Sequence, residues 1–216
     1  MTGKRVQIID YQLGNLFSIR QACHHVGLEA TITSSADSFH DADALILPGV
    51  GAFGNAMDRL NELQLAEPIK NAVLNGKPLL GICLGMQLLF DTSEEFGNHE
   101  GLGIIPGQVK RLPTEKDITG RSLRVPNVGW RAATFQSTSP ESETTLKHID
   151  NNTNFYFVHS YYAEPTDSKH VLMSTEYGQF RYCSAVGCKH ILATQFHPEK
   201  SAGAGLKLFA NWAEAV

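Results

Sequence analysis

Cysteine is scarce in this sequence, with four residues in a chain of 216. That number is too small for a disulfide-stabilised scaffold of the kind found in short secreted proteins. The chain also lacks any apolar run near the roughly 18 residues that a membrane-spanning helix needs. We therefore expect a globular, cytoplasmic protein that keeps its thiols reduced and has no membrane partner.

The sequence also lacks a large excess of charge of either sign. It has 18 Lys and Arg and 22 Asp and Glu, for a formal net charge of -4. This balance argues against a nucleic-acid-binding protein that works through a broad basic face. The hydrophobic fraction of 42% is ordinary, and a chain of this length buries a sizeable core. With no visible linker, residues 1–216 are expected to form one domain.

The first half of the chain alternates short apolar runs with helical patterns. Strands are predicted at residues 6–9, 30–33, 44–47 and 78–83, and helices at residues 16–26, 55–74 and 84–90. Wholly apolar strands that alternate with helices predict an α/β fold with an open, mainly parallel sheet covered on both faces.

The second half of the chain reads differently, with short segments and many turn residues between residues 101 and 191. Strands are predicted at residues 155–158 and 191–194, and a closing helix at residues 201–215. We expect strand-rich additions to the same α/β domain.

The strongest local motif surrounds Cys83, which stands between Gly81 and Gly85 at the junction of a predicted strand and a predicted helix. This is the form and the context of a nucleophile elbow, where glycines permit a sharp turn that exposes the central side chain. The start of the helix favours a thiolate, and the N–H of Leu84 would face an oxyanion. The alternative is that Cys83 is a small buried hydrophobe in a tight turn.

A cysteine nucleophile needs a base, and His197 is the best of the nine histidines. It follows the predicted strand that ends at residue 194, which places it at the same sheet edge as Cys83. Pro198 stiffens the segment, and Glu199 is close enough to orient the imidazole. The alternative is an exposed histidine beside a turn proline.

A glycine-rich loop at residues 48–54 follows another predicted strand. It lacks the Gly-Lys-Ser/Thr of a phosphate-binding loop and the surroundings of a dinucleotide fingerprint. A backbone N–H of this loop could complete an oxyanion hole opposite Leu84. A simple tight turn explains the glycines equally well.

The motifs GICLGMQLLF around Cys83 and QFHPEKS around His197 and Glu199 resemble the class I, or triad, glutamine amidotransferases. Further blocks resemble the glutaminase subunits of imidazole glycerol phosphate synthases. They are IDYQLGNL (9–16), LPGVGAFGNAM (47–57), GLG (101–103), GW (129–130), FYFVHSYY (155–162) and TQFHPEKS (194–201). The resemblance spans nearly the whole chain and implies a flavodoxin-like α/β sheet.

The resemblance also implies a reaction that needs neither a cofactor nor a metal. Cys83 would attack the side-chain amide of glutamine, with His197 moving protons and Glu199 orienting His197. A glutamyl thioester would form and be hydrolysed. The N–H groups of Leu84 and, after a peptide rearrangement, Val50 would bind the oxyanion. Positions that match the glutamine-binding residues of the family are Gly51, Gln87, Ser160 and Tyr161.

The partner implied by the resemblance is a (β/α)8 cyclase subunit that receives the ammonia in histidine biosynthesis, as one half of a heterodimer. Positions expected at that interface are Asn127, Trp130, Tyr156 and Lys200, although a core role suits Trp130 equally. The segment VPNVGWR (125–131) departs from the family pattern P-H-M-G-W-N, and Gln12 stands where glycine is common. An alternative partner is therefore a sugar amidotransferase that forms an acetamidino group in surface polysaccharides.

Three other interpretations stay open at this stage. Cys183, Cys188 and His190 could belong to a metal cluster, although two thiols on adjacent strands or in a hairpin fit the spacing better. The chain could be a non-catalytic scaffold, but no member of the triad is missing. It could also be a cysteine peptidase of similar architecture, which would share the elbow but not TQFHPEKS.

Overall fold

The computed structural model describes residues 3–117, 119–136 and 144–216. Strands and helices alternate in the first half, in the order β1 (Arg5–Ile9), α1 (Leu16–His25), β2 (Glu29–Thr33), β3 (Ala44–Leu47), α2 (Phe53–Glu62), α3 (Ala66–Leu74), β4 (Leu79–Ile82) and α4 (Leu84–Gln87). A 3-10 turn at Ala36–Phe39 precedes β3.

Strands dominate the second half, as predicted. They are β5 (Phe90–Ser93), β6 (His99–Glu100), β7 (Ile105–Arg111), β8 (Asn127–Phe135), β9 (Thr153–His159), β10 (Tyr161–Pro165), β11 (Val171–Tyr177), β12 (Phe180–Cys188) and β13 (Ile191–Thr194). Helix α5 (Ala202–Ala215) closes the chain, and 3-10 turns lie at Ser168–His170 and Pro198–Lys200.

The main sheet joins the two halves of the chain. Within the described residues its strand order is β2-β1-β3-β4-β13-β12-β11-β8-β9. Strands β2 to β13 in this order run parallel, which confirms the parallel sheet predicted for the first half. From β13 to β9 the pairing is antiparallel, and a smaller sheet of β10, β7, β5 and β6 packs alongside.

Both faces of the parallel strands are buried, because alternate side chains of each strand enter opposite cores. In β3, Ile46 packs with the side of the sheet that carries α1 and α5, where Phe209 is fully buried. Its neighbour Leu45 packs on the other side, with residues of α2 and α3 such as Leu60. This two-sided burial explains why the strands read as continuous apolar runs.

The single helix predicted over residues 55–74 is wrong, because the structure has two helices there. Helix α2 ends before Gln64, which adopts a left-handed conformation with φ 55°, and the N–H of Leu65 bonds back to the carbonyl of Leu60 at 2.8 Å. The apolar spacing runs unbroken across this join. Pro68 was the available signal, since proline is tolerated in the first turn of a helix but not in its interior.

The helix predicted over residues 84–90 is too long, since α4 ends at Gln87 and Phe90 begins β5. Cys183 and Cys188 do not lie on adjacent strands, because both lie on β12. The other expected placement, in a hairpin, agrees with the antiparallel pairing of β12 with β11 and β13. In the part of the chain that the structure describes, no three His, Cys, Asp or Glu side chains are grouped to hold a metal ion. Nor does any described helix have the length and apolarity to cross a membrane.

Replacing Gly85 is expected to destabilise the fold, because a Cβ at this position would overlap the carbonyl oxygen of Leu47. We expect Gly85→Ala to lower the free energy of unfolding by about 3 kcal/mol. Gly203 in α5 is the matched control, since a Cβ there meets no atom within 4 Å. Gly203→Ala should leave stability unchanged or raise it slightly, by about 0.5–1 kcal/mol. Urea unfolding of both variants checks this, and equal stabilities would contradict it.

Candidate active site

The chain turns sharply at Cys83, between the end of β4 and the start of α4. Cys83 has φ 55° and ψ -110°, a conformation that is costly for a residue with a side chain. Its N–H donates to the carbonyl of Thr194 at 2.7 Å, so the turn is fastened to the end of β13. Gly81 and Gly85 permit the close approach of α4 to the sheet. The predicted elbow is therefore present, with the Cys83 Sγ atom 3.8 Å from the carbonyl oxygen of Val158 on β9.

His197 and Glu199 form a buried pair just beyond β13. The Nδ1 atom of His197 lies 2.8 Å from Oε1 of Glu199, and their side chains are 2% and 1% exposed. Two bonds hold the backbone of His197: its N–H donates to the carbonyl of Tyr156 at 2.9 Å, and its carbonyl accepts from Ser201 Oγ at 2.6 Å. The imidazole is thus held through Nδ1, and Nε2 is its free nitrogen.

The electrostatics of this pair favour a charged imidazole. Burial lowers the pKa of His197, but the neighbouring Cys83 and then Glu199 outweigh it and raise the pKa to about 10. Nε2 of His197 is buried and forms no hydrogen bond to any described residue. Nε2 is therefore available to exchange a proton with the neighbouring sulfur or with a bound molecule.

A cavity of about 290 Å³ opens over Cys83. Its size lies just below the range of about 300–1,000 Å³ that is typical of drug-sized ligands, and it suits a single amino acid. The structure brings Cys83 together here with every residue predicted to bind the oxyanion or the substrate. The lining comprises Val50, Gly51, Cys83, Leu84, Gln87, Glu95, Pro126, Val158, His159, Ser160 and Tyr161.

The two predicted oxyanion donors lie in different settings. Leu84 is the first residue of α4, so its N–H has no acceptor within the helix. Val50 is 40% exposed at the rim, in the glycine loop. Gly49 passes so close to the buried hydroxyl of Tyr11 that a Cβ would overlap it, while Gly51 has φ 107°. Tyr11 Oη donates to the carbonyl of Pro48 at 2.7 Å and fastens the start of the loop.

Gln195 is a residue of this site that sequence reasoning missed. The Nε2 atom of Gln87 donates to Oε1 of Gln195 at 2.9 Å and to the carbonyl of Tyr161 at 2.9 Å. Gln195 in turn places its own Nε2 3.7 Å from the sulfur of Cys83. The signal was its position two residues before His197, in the same segment after β13.

Glu95 is a second missed residue. Its Oε2 accepts the N–H of Phe53 at 2.7 Å, at the start of α2, and the residue is 9% exposed. The same side chain lines the cavity, where it is the one acidic residue among the described lining residues. A carboxylate in this position can bind the ammonium group of an amino acid. No local pattern in the sequence distinguished Glu95 from its neighbour Glu94.

The residues predicted at a partner interface fall into two groups. Trp130 is 48% exposed, which excludes the core role left open for it, and its ring meets that of half-buried Tyr156 edge-on, with centroids 6.1 Å apart. Lys200 is exposed as well. Asn127 is fully buried, so the prediction that its side chain lies at the interface is wrong. Its exposed neighbour on β8 is Val128.

The profile of the family described as glutamine amidotransferase class-I matches residues 7–215. Two curated relatives are each named imidazole glycerol phosphate synthase subunit HisH. The one from Syntrophotalea carbinolica is 44% identical over 209 residues, covering 97% of this chain and 99% of the relative. The one from Rhodopirellula baltica is 44% identical over 212 residues, covering 97% of each.

Among solved structures, PurLQS from Thermotoga maritima superposes with a TM-score of 0.70 at 17% identity, covering 98% of each chain. A likeness at this identity concerns the fold alone. It agrees with the sheet and the flanking helices that the first half of the sequence predicted.

The raised pKa of His197 has a consequence for stability. A histidine whose pKa is about 10 when folded and about 6.5 when unfolded stabilises the fold fully below pH 6.5. That contribution is lost as the pH rises through 10. We expect the free energy of unfolding of the parent to fall between these values more steeply than that of His197→Gln. Urea unfolding at a series of pH values measures the difference. If the free energies of unfolding of the two proteins changed in parallel with pH, the raised pKa of His197 would be contradicted.

Proposed function

The chain belongs to the class I glutamine amidotransferases, and we propose that it is the glutaminase subunit of an imidazole glycerol phosphate synthase. The observation that carries the proposal is the meeting of Cys83 with the buried His197–Glu199 pair beside a cavity of amino-acid size. The 44% identity to subunits of that name over nearly the whole chain supports the same function.

Glutamine enters the cavity with its side-chain amide over Cys83. Glu95 receives the α-ammonium group, since it is the acidic residue of the described lining. Gly51, Gln87, Ser160 and Tyr161 surround the rest of the molecule. Gln87 is well suited to this role, because its bonds to Gln195 and to the Tyr161 carbonyl hold it in one orientation.

The sulfur of Cys83 attacks the amide carbon, forming a C–S bond and a tetrahedral oxyanion. The N–H of Leu84 at the start of α4 stabilises that oxyanion, together with the N–H of Val50 once the glycine loop has rearranged. His197 gives its Nε2 proton to the amide nitrogen, the C–N bond breaks, and ammonia leaves. A thioester between Cys83 and the glutamyl group remains.

Hydrolysis of the thioester completes the cycle. His197, now neutral, takes a proton from water, which attacks the thioester carbon. The C–S bond breaks, glutamate leaves, and the thiolate and the imidazolium are restored. Glu199 stabilises the imidazolium at both stages through its bond to Nδ1.

The ammonia passes to a cyclase subunit that docks against this face of the molecule. The candidate surface consists of the exposed residues Val128, Trp130 and Lys200 and of half-buried Tyr156. Tyr156 lies on β9, the strand whose Val158 lines the cavity. The name of the relatives, each a subunit of a synthase, supports such a partner. It also favours the histidine-pathway cyclase over the sugar amidotransferase that the altered segment 125–131 suggested.

We expect the isolated chain to hydrolyse glutamine slowly and the cyclase subunit, with its ribulosyl phosphate substrate, to stimulate it strongly. The reason is that Val50 needs a rearrangement before its N–H can serve the oxyanion. Glutamate release is measured with and without the cyclase subunit from the same source. Full turnover by the isolated chain would contradict the need for a rearrangement, and no stimulation would contradict the partner.

Cys83→Ala should abolish that activity, lowering kcat by about 10⁴-fold or more. The matched control is Cys183→Ala, which removes another buried thiol, one whose pKa burial raises to about 12. The control should retain parental turnover under the same assay. Activity that survives in Cys83→Ala would overturn the proposed function.

Glu199→Gln should cost less than the loss of the nucleophile, leaving kcat about 10²-fold above that of Cys83→Ala. The amide still accepts a hydrogen bond from Nδ1 but no longer stabilises the imidazolium. Steady-state kinetics in the presence of the cyclase subunit separate the two variants. Equal losses would contradict the orienting role of Glu199.

A further inference from the structure

A buried polar cluster borders the cavity through His159, one of its lining residues, and has no role in the chemistry described above. It consists of Asn127 on β8, His159 on β9 and Tyr182 on β12, all less than 10% exposed. The Nδ2 atom of Asn127 lies 3.2 Å from Nε2 of His159 and 3.1 Å from the hydroxyl of Tyr182. That hydroxyl is also 3.1 Å from the same imidazole nitrogen.

The neighbours of His159 determine which of its nitrogens carries the proton. Nδ1 lies 2.9 Å from the carbonyl oxygen of Tyr161, which can only accept, so Nδ1 must be the donor. Burial first, and then the charge of His197, lower the pKa of His159 to about 4, so the ring is neutral. Nε2 is then an acceptor, and two donors face it: the amide of Asn127 and the hydroxyl of Tyr182, which itself accepts from that amide.

The Tyr161 carbonyl connects this cluster to the nucleophile. It accepts from His159 on one side and from Gln87 Nε2, at 2.9 Å, on the other. Gln87 also donates to Gln195, and the Nε2 atom of Gln195 lies near the sulfur of Cys83. A chain of polar contacts thus runs from Asn127 to Cys83 through the segment that lines the glutamine site.

We propose that Asn127 is a positioning residue for glutamine: its amide holds His159 as the neutral Nδ1–H tautomer, which fixes the Tyr161 carbonyl and, through it, Gln87 at the substrate. The inference rests on the proposed function for its substrate. Asn127 is followed on β8 by exposed Val128, so the positioning residue and the proposed partner surface share one strand.

The first test compares two buried asparagines. Asn127→Ala removes the donor to His159, whereas Asn211→Ala removes an amide of α5 that bonds the carbonyls of Thr145 and Lys147, away from the cavity. We expect KM for glutamine to rise about tenfold in Asn127→Ala, with kcat changed much less, and to stay parental in Asn211→Ala. Equal KM values in the two variants would overturn the proposal.

The second test keeps the shape of the side chain and removes the donor. In Asn127→Asp a carboxylate faces Nε2, so the Nδ1–H contact survives only when Nε2 is protonated as well. The other described titratable groups that act on His159 are Tyr182 and His197. The ratio of kcat/KM in this variant to that of the parent should rise about tenfold as the pH falls from about 8 to about 6. A flat ratio would contradict the role of the donor.

A third measurement needs no glutamine and therefore separates this inference from the proposed function. The imidazole nitrogen NMR signals of His159 should report a neutral Nδ1–H ring between about pH 5 and pH 8 in the parent. In Asn127→Ala the ring should lose this single tautomer. An Nε2–H ring in the parent, or an unchanged ring in the variant, would overturn the proposal even if glutamine proved not to be the substrate.

Discussion

The parallel pairing of β4 with β13 is the constraint on which the rest of the site depends. Ile82 pairs with Thr194, and the next N–H, that of Cys83, donates to the Thr194 carbonyl at 2.7 Å. This register brings two strand ends to the same edge of the sheet, so Cys83 and the segment that carries His197 emerge side by side. A shift of one residue would turn the side chains of β13 to the other face.

The pairing also stabilises features that would be unfavourable alone. Cys83 adopts a conformation that costs about 1–3 kcal/mol for a residue with a side chain, and it persists because Gly81 and Gly85 allow close packing around it. His197 and Glu199 are buried ionisable groups that would be costly unpaired, and they bond each other through Nδ1 and Oε1. The same burial that makes the pair costly strengthens its electrostatic effect on Cys83.

The predicted site residues that the structure brings together are those with a local pattern in the sequence. The glycines around Cys83, and the proline and glutamate after His197, each lie within a few residues of the group they serve. Gln195 and Glu95 were missed because their contacts are with residues distant in the chain. Asn127 was placed at the surface because its segment resembles one that meets a partner, whereas the alternation along β8 turns its side chain inward and leaves Val128 outside.

The sequence by itself determined the apolar strands, the alternation with helices in the first half and the residues of the proposed triad, because these depend on local periodicity and on glycine and proline conformation. It did not determine the break between α2 and α3, since the apolar spacing continues across Gln64. Only the tertiary structure decided which polar residues share the cavity and which nitrogen of His159 carries a proton. Those properties follow from contacts between β8, β9 and β12, where the buried neighbours of each polar group determine its hydrogen bonds.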